Sequence, residues 1–152
     1  MCTSFMGELM TATHNFGTAP TRGTSAADTF KGALYLASAT INASTTAYST
    51  TGEVTGTGYS AGGVTVTNAT PPTATNSSAT AGVAYWTPSA SLTYTSVTLT
   101  TAFDAVLIYN STQSNKAVSV HTFGSQTITA GTFTLTMPAN TTSTALLRLA
   151  TT

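Results

Sequence analysis

The chain has 152 residues, carries four basic and four acidic side chains, and has no formal net charge at pH 7. Charged residues make up 5% of it, whereas a soluble domain has about 25%, so the charge repulsion that normally opposes self-association is missing. The basic residues Arg22, Lys31, Lys116 and Arg148 are scattered singly, which excludes a nucleic-acid site built on clustered positive charge.

This length suits one domain with a substantial core, and 38 threonines with 16 serines predict a surface of hydroxyl groups. The single cysteine, Cys2, excludes an intrachain disulfide. No apolar run is long enough to span a bilayer, and the start lacks the basic and apolar segments of a signal peptide. We therefore expect a protein made in a cytoplasm, without membrane contact, that works in an assembly.

Residues 1–27 are predicted to form an N-terminal arm. Phe5 and Leu9 lie at helical spacing after a possible cap at Ser4, which indicates a short amphipathic helix. Residues 17–27 contain proline and glycine without periodicity, as an extended connection does. Two alternatives stay open: an arm that reaches a neighbouring subunit, or a strap folded back on its own domain.

The chain from residue 28 to 152 reads as strands separated by turn-rich segments. The first half predicts strands at residues 29–37, 62–68 and 82–87, with loops at 41–58 and 69–82. In residues 92–100 the apolar positions change parity near Thr95 and Ser96, which predicts a β-bulge or a kink.

A β-hairpin at residues 98–123 is the centre of the predicted fold. Residues 105–109 (AVLIY) are continuously apolar, as in a strand covered on both faces. Six polar residues follow, and residues 117–123 then resume strand alternation. A tight turn at Gly124 and Ser125 is predicted next, followed by strands at 126–130, 132–137 and 144–150. These elements predict an all-β, single-domain antiparallel β-sandwich, jelly-roll or immunoglobulin-like.

The titratable residues do not indicate a catalytic, metal or cofactor site, because no familiar spacing links them. They are Cys2, Glu8, His14, Asp28, Glu53, Asp104 and His121. Asp104 is expected to be structural, held by Lys116 across the hairpin or by backbone N–H groups. His121 is interpreted as an ordinary surface or hydrogen-bonded histidine, and Cys2 as inert.

Four stretches carry a resemblance: TFKGALYLA, AGGVTVTNATPP, AFDAVLIYN and HTFGSQTITAGTFTLTMP. From about Phe5 to Ala150 the chain resembles a family of small proteins encoded among the virion genes of tailed bacteriophages. The resemblance implies a structural protein without catalytic residues, which looks like a capsid decoration or cement protein on the virion exterior, made in the host bacterial cytoplasm. It also implies the major capsid protein as partner and a homotrimer.

If the chain decorates a shell, we expect the arm and residues 71–82 to attach it. The candidate contact residues in the arm are Phe5, Leu9, His14, Phe16 and Arg22. The alternative is a tail, fibre or receptor-binding component, in which Tyr85, Trp86 or Tyr94 would stack on a glycan. A small hydrolase is disfavoured because the titratable residues do not cluster in the sequence.

Overall fold

The structure is a computed structural model that describes residues 1–10, 13, 14, 16, 27–67, 73, 74 and 82–150. Its elements are α1 (Thr3–Met10), β1 (Phe30–Leu36), β2 (Val64–Thr65), β3 (Thr73–Ala74), β4 (Val83–Trp86), β5 (Leu92–Asn110), β6 (Lys116–Leu135) and β7 (Leu147–Ala150). All strand pairs are antiparallel. The all-β class is confirmed.

The strands form two sheets, ordered β2-β1-β5-β6 and β3-β4-β7. The predicted hairpin is formed by β5, an inner strand of the first sheet, and β6, its last strand, and Asn110 faces Lys116 across a polar turn. Ser114 and Asn115 end that turn with positive φ angles of 53° and 58°, a conformation that asparagine tolerates better than most residues. The apolar run of β5 is fully buried, as expected for a strand with β1 on one side and β6 on the other.

The hairpin is longer than predicted. Residues 92–100 and 105–109 belong to one strand, β5, and the predicted tight turn at Gly124 and Ser125 is wrong, because β6 runs through it. At this point the pairing register shifts instead, from Phe103 opposite Gln126 to Ala105 opposite Thr122. A bulge absorbs the small residues while the strand continues.

The predicted bulge near Thr95 and Ser96 is confirmed. Tyr94 pairs with Phe133, but the next pair is Val97 with Gly131, and Ser96 has a φ of 53°. The extra residue on β5 returns the apolar side chains to the core face, which explains the parity change in the sequence.

The other predicted elements are confirmed only in part. Residues 41–58 form no helix or strand, as predicted, and contribute only isolated bridges. Among the described residues, the strand predicted at 62–68 is reduced to β2, and the one at 144–150 to β7; residue 68 lies outside them. The loop predicted at 69–82 is wrong at β3, which pairs with β4, and most of the rest of that loop lies outside the described residues.

The core joins the N-terminal segment to the sheets. Cys2, Phe5 and Phe16 are buried in the same apolar cluster as the central strands. Phe16 stacks on Phe30 of β1, with ring centroids 4.5 Å apart, and lies 4.9 Å from Trp86 of β4. The described residues of the segment therefore lie against their own domain, as in the strap alternative. We call Cys2, α1, His14 and Phe16 the N-terminal strap.

Candidate functional site

Four titratable residues that are far apart in the sequence meet beside the hairpin turn. His14 Nε2 lies 2.7 Å from Glu8 Oε2, and Lys116 Nζ donates to Glu8 Oε1 at 2.7 Å. Asn110 Nδ2 lies 3.1 Å from His14 Nδ1 and donates to Asp28 Oδ2 at 2.7 Å. We call Glu8, His14, Asp28, Asn110 and Lys116 the strap cluster.

The strap cluster determines which nitrogen of His14 carries the proton. Asn110 Oδ1 accepts from the backbone N–H groups of Thr112 and Gln113, so the amide orientation is set and its Nδ2 must donate. His14 Nδ1 must therefore accept, and the proton is on Nε2, which donates to Glu8. In this structure the imidazole is neutral and both of its nitrogens are paired.

Burial and charge act in opposite directions in this cluster. Burial lowers the pKa of His14, and the hydrogen bond with Glu8 and the nearby Asp28 offset this only in part. Burial raises the pKa of Glu8, but the hydrogen bonds from Lys116 and His14 outweigh it, and the pKa lies below its usual value. The predicted Asp104–Lys116 pair is replaced, since Lys116 pairs with Glu8.

A second buried carboxylate, Glu53, anchors the loop between β1 and β2. It accepts from Tyr48 Oη at 2.6 Å, Tyr59 Oη at 2.8 Å and the Gly62 N–H at 2.7 Å. Burial first, and then the hydrogen bond to Glu53, raise the pKa values of Tyr48 and Tyr59 far above the ordinary value. We call Glu53, Tyr48, Tyr59 and Gly62 the loop cluster, and its donors are all neutral.

The loop cluster lies close to β1 because of a glycine. Gly63 has a φ of +70°, and a Cβ built on it would lie 1.7 Å from the carbonyl oxygen of Gly32. Only glycine fits at this position, since any side chain would overlap the β1 backbone. The arrangement braces the loop against β1, since the Tyr59 hydroxyl that donates to Glu53 also accepts from the Leu34 N–H.

One contact has the composition of a nucleophile and its base. His121 Nε2 lies 2.9 Å from Ser119 Oγ, and burial lowers the pKa of His121. Ser119 has no exposed surface, so a substrate cannot reach the hydroxyl in this conformation. The contact fits the hydrogen-bonded histidine predicted for His121.

The residues predicted to attach the arm are mostly internal. Phe5 and Phe16 are buried, and the His14 side chain is 0% exposed. Leu9 is half-buried, and Arg22 lies outside the described residues. In this conformation Leu9 is the one described member of the set with an accessible side-chain surface, so a role of the others in subunit contact stays a prediction that needs the strap to move.

Of the three aromatic residues proposed for glycan stacking, two are buried and one is partly exposed. Trp86 is 2% exposed and Tyr94 3% exposed. The Tyr94 hydroxyl donates to the Gly32 carbonyl at 2.8 Å, and Trp86 packs between phenylalanine rings. Neither ring offers a face to a sugar here, and of the three only Tyr85 is partly exposed.

Sequence reasoning missed one surface, the outer side of β6. This strand is the last in the order of its sheet, so residues 120–135 have no strand on their outer side among the described residues. No charged residue occurs between Lys116 and Arg148. Five partly buried apolar side chains line the strand: Val120, Phe123, Ile128, Phe133 and Leu135. We call residues 120–135 the β6 edge.

An aromatic group supports the β6 edge from inside. Phe123 and Phe133 lie 5.4 Å apart, and each contacts the buried ring of Phe103, at 6.0 and 5.1 Å. Edge strands usually carry lysine or proline, which discourages pairing with other chains. The β6 edge has neither, but bulges interrupt its pairing with β5 and break it into short straight stretches.

The described residues contain no group of three or more His, Cys, Asp or Glu side chains that could hold a metal ion. No helix in this part of the chain is long and apolar enough to cross a membrane. No protein-family model matches the chain, and neither a curated protein nor a solved structure does.

Proposed function

We propose that this chain is a virion structural protein of a tailed bacteriophage, of the capsid decoration type, which binds the outer surface of the major capsid shell without catalysis. The observation that carries the proposal is the β6 edge, a long sheet edge without charge and with phenylalanines at its border. The resemblance of the four sequence stretches to phage virion proteins supports the same conclusion.

The chemistry of the β6 edge suits attachment to a lattice. An edge strand offers free N–H and C=O groups, and partly exposed aromatic rings add apolar area to a contact. Because no ionisable group except His121 lies within it, a neutral partner meets no repulsion. The bulges keep each stretch of pairing short, so single contacts are weak and gain strength only when many copies bind one shell.

The two sheets supply the rigid body that such a protein needs. Trp86 of the smaller sheet lies 6.1 Å from Phe30 of the larger one, and Phe16 fills the space between them. We infer that the sheets are the two layers of a β-sandwich and that three copies assemble around a local threefold axis.

The first test is the number of copies in purified virions, measured by quantitative mass spectrometry against the major capsid protein. A simple integer ratio to the shell subunit supports decoration of the whole lattice. A few copies per particle would contradict it and favour the tail or fibre alternative, with Tyr85 as the first residue to mutate.

A charge on the β6 edge tests the surface itself. Thr132 is exposed on β6 and Thr55 is exposed in the loop after β1, so Thr132→Lys and Thr55→Lys add the same charge at two places. We expect Thr132→Lys to reduce binding to undecorated shells at least tenfold, and Thr55→Lys to bind as the parent does. Equal binding by both variants would show that the β6 edge is not the attachment surface.

A further inference from the structure

One contact of the N-terminal strap is made by a histidine, and the hydrogen bond of this residue to the body requires the neutral ring. Besides the packing of Phe5 and Phe16 in the core, its polar contacts with the body include the Cys2 N–H bond to the Val118 carbonyl at 2.9 Å, the Glu8–Lys116 ion pair and the His14–Asn110 hydrogen bond. Of these, the His14 contact depends on the neutral state of the side chain. We propose that the strap is an acid-released latch, which opens when His14 takes up a second proton.

The geometry leaves the second proton without an acceptor. His14 Nε2 already donates to Glu8, so the new proton must go to Nδ1. The atom facing Nδ1 is Asn110 Nδ2, itself a donor. Rotating the amide would break its bonds to Asp28 and to the turn N–H groups of Thr112 and Gln113. Protonation therefore replaces a hydrogen bond by the contact of two donors.

The surroundings of the ring add to this cost. The centroids of Phe5, Phe16 and Phe30 lie 4.8, 6.2 and 6.3 Å from the imidazole, and its side chain has no exposed surface. A charge there is separated from water. Glu8 on α1 and Asp28 before β1 favour the charged ring, and Lys116 on β6 opposes it. Both carboxylates are already paired, so moving the ring to water is the remaining way to satisfy both of its N–H groups.

Opening has a definite direction with pH. The pKa of His14 is lower in the closed structure than in the released strap, where it returns to about 6.5. The closed state is therefore fully favoured above about pH 6.5 and weakens as the pH falls toward the closed-state pKa, by up to about tenfold per pH unit. Glu8, whose pKa is also lowered, weakens the latch further only below about pH 4.5.

Cys2 reports on the latch, because it is the sole cysteine and is fully buried in the closed strap. Its rate of reaction with a disulfide reagent that works in acid is measured from about pH 7.5 to about pH 5, and each rate is divided by that of the unfolded chain at the same pH. We expect the normalised rate to rise below pH 6.5 while the far-ultraviolet circular dichroism of the strands stays constant. A normalised rate that does not change with pH overturns the proposal.

The two histidines provide matched variants. His14→Gln cannot titrate and should give a normalised rate that does not vary with pH, whereas His121→Gln should behave as the parent does. Loss of the pH response in His121→Gln would show that the response comes from His121 and would overturn the assignment to His14. If His14→Gln does not fold, hydrogen exchange of the parent decides: protection lost first at the Cys2 amide supports the latch, and uniform loss across β5 and β6 contradicts it.

Discussion

The strap cluster and the loop cluster each hold a segment outside the two sheets in place, but they use different side chains to do so. Each is built around a carboxylate. Glu8 joins α1 to Lys116 of β6, whereas Glu53 ties together the loop between β1 and β2, whose Tyr59 hydroxyl accepts from the Leu34 N–H of β1. The loop cluster uses two tyrosine hydroxyls and a backbone N–H, none of which changes charge near neutral pH. The strap cluster uses a histidine and a lysine. Only the strap cluster therefore contains a histidine whose neutral form is needed for a hydrogen bond to the body of the domain.

The largest expected effect comes from removing the loop carboxylate. Glu53→Ala removes the acceptor of two partly buried hydroxyls and of one buried N–H, and a buried donor without an acceptor costs about 1–3 kcal/mol. We expect the free energy of unfolding to fall by about 3 kcal/mol or more, measured by urea denaturation at neutral pH. Glu53→Gln keeps an acceptor oxygen and should lose less, so equal losses in the two variants would show that hydrogen bonding is not the cause.

The next largest effect is expected from a substitution of Asn110, because this residue links the strap to the hairpin turn. Asn110→Ala removes the bonds to His14 and Asp28 and frees the N–H groups of Thr112 and Gln113. We expect a loss of about 2 kcal/mol in the free energy of unfolding, with faster reaction of Cys2 at neutral pH. If the variant is destabilised but Cys2 stays protected, Asn110 stabilises the hairpin turn and does not hold the strap closed.

The pH dependence of the free energy of unfolding tests the contribution of the strap histidine. Because the pKa of His14 is lowered in the folded chain, its contribution is complete above about pH 6.5 and is lost as the pH falls, with a slope of at most about 1.4 kcal/mol per pH unit. Burial lowers the pKa of His121 as well, so part of the slope belongs to that residue. Urea denaturation from pH 7.5 to about pH 5 should show a smaller decrease in His14→Gln than in the parent.

The smallest effect is expected at Lys116. Its ion pair with Glu8 is 2.7 Å long, but the lysine side chain is 39% exposed, so water and salt screen the attraction. A double-mutant cycle of Glu8→Gln and Lys116→Met should give a coupling free energy of about 0.5 kcal/mol, which decreases with added salt. A coupling above about 2 kcal/mol would mean that the pair is effectively desolvated.

The candidate site was only partly predictable. The lack of charge between Lys116 and Arg148 is visible in the sequence, but that this stretch forms a sheet edge depends on strand order, which local patterns do not encode. Glu8 and Lys116 are 108 residues apart, and Asn110 and His14 are 96 apart. No periodicity links residues at such separations, so the strap cluster could not be found before the chain was folded.

The sequence alone determined the parts of the fold that depend on neighbouring residues. The apolar run at residues 105–109 predicted the buried central strand, and the parity change near Ser96 predicted the bulge, because strand side chains alternate in direction. The tertiary structure decided whether Gly124 and Ser125 would turn or bulge, since both residues tolerate either and only the continued pairing with β5 selects the strand. It also decided that the His14 side chain is buried, because the ring packs on Phe30 of β1 and its Nδ1 is met by the amide of Asn110, 96 residues away.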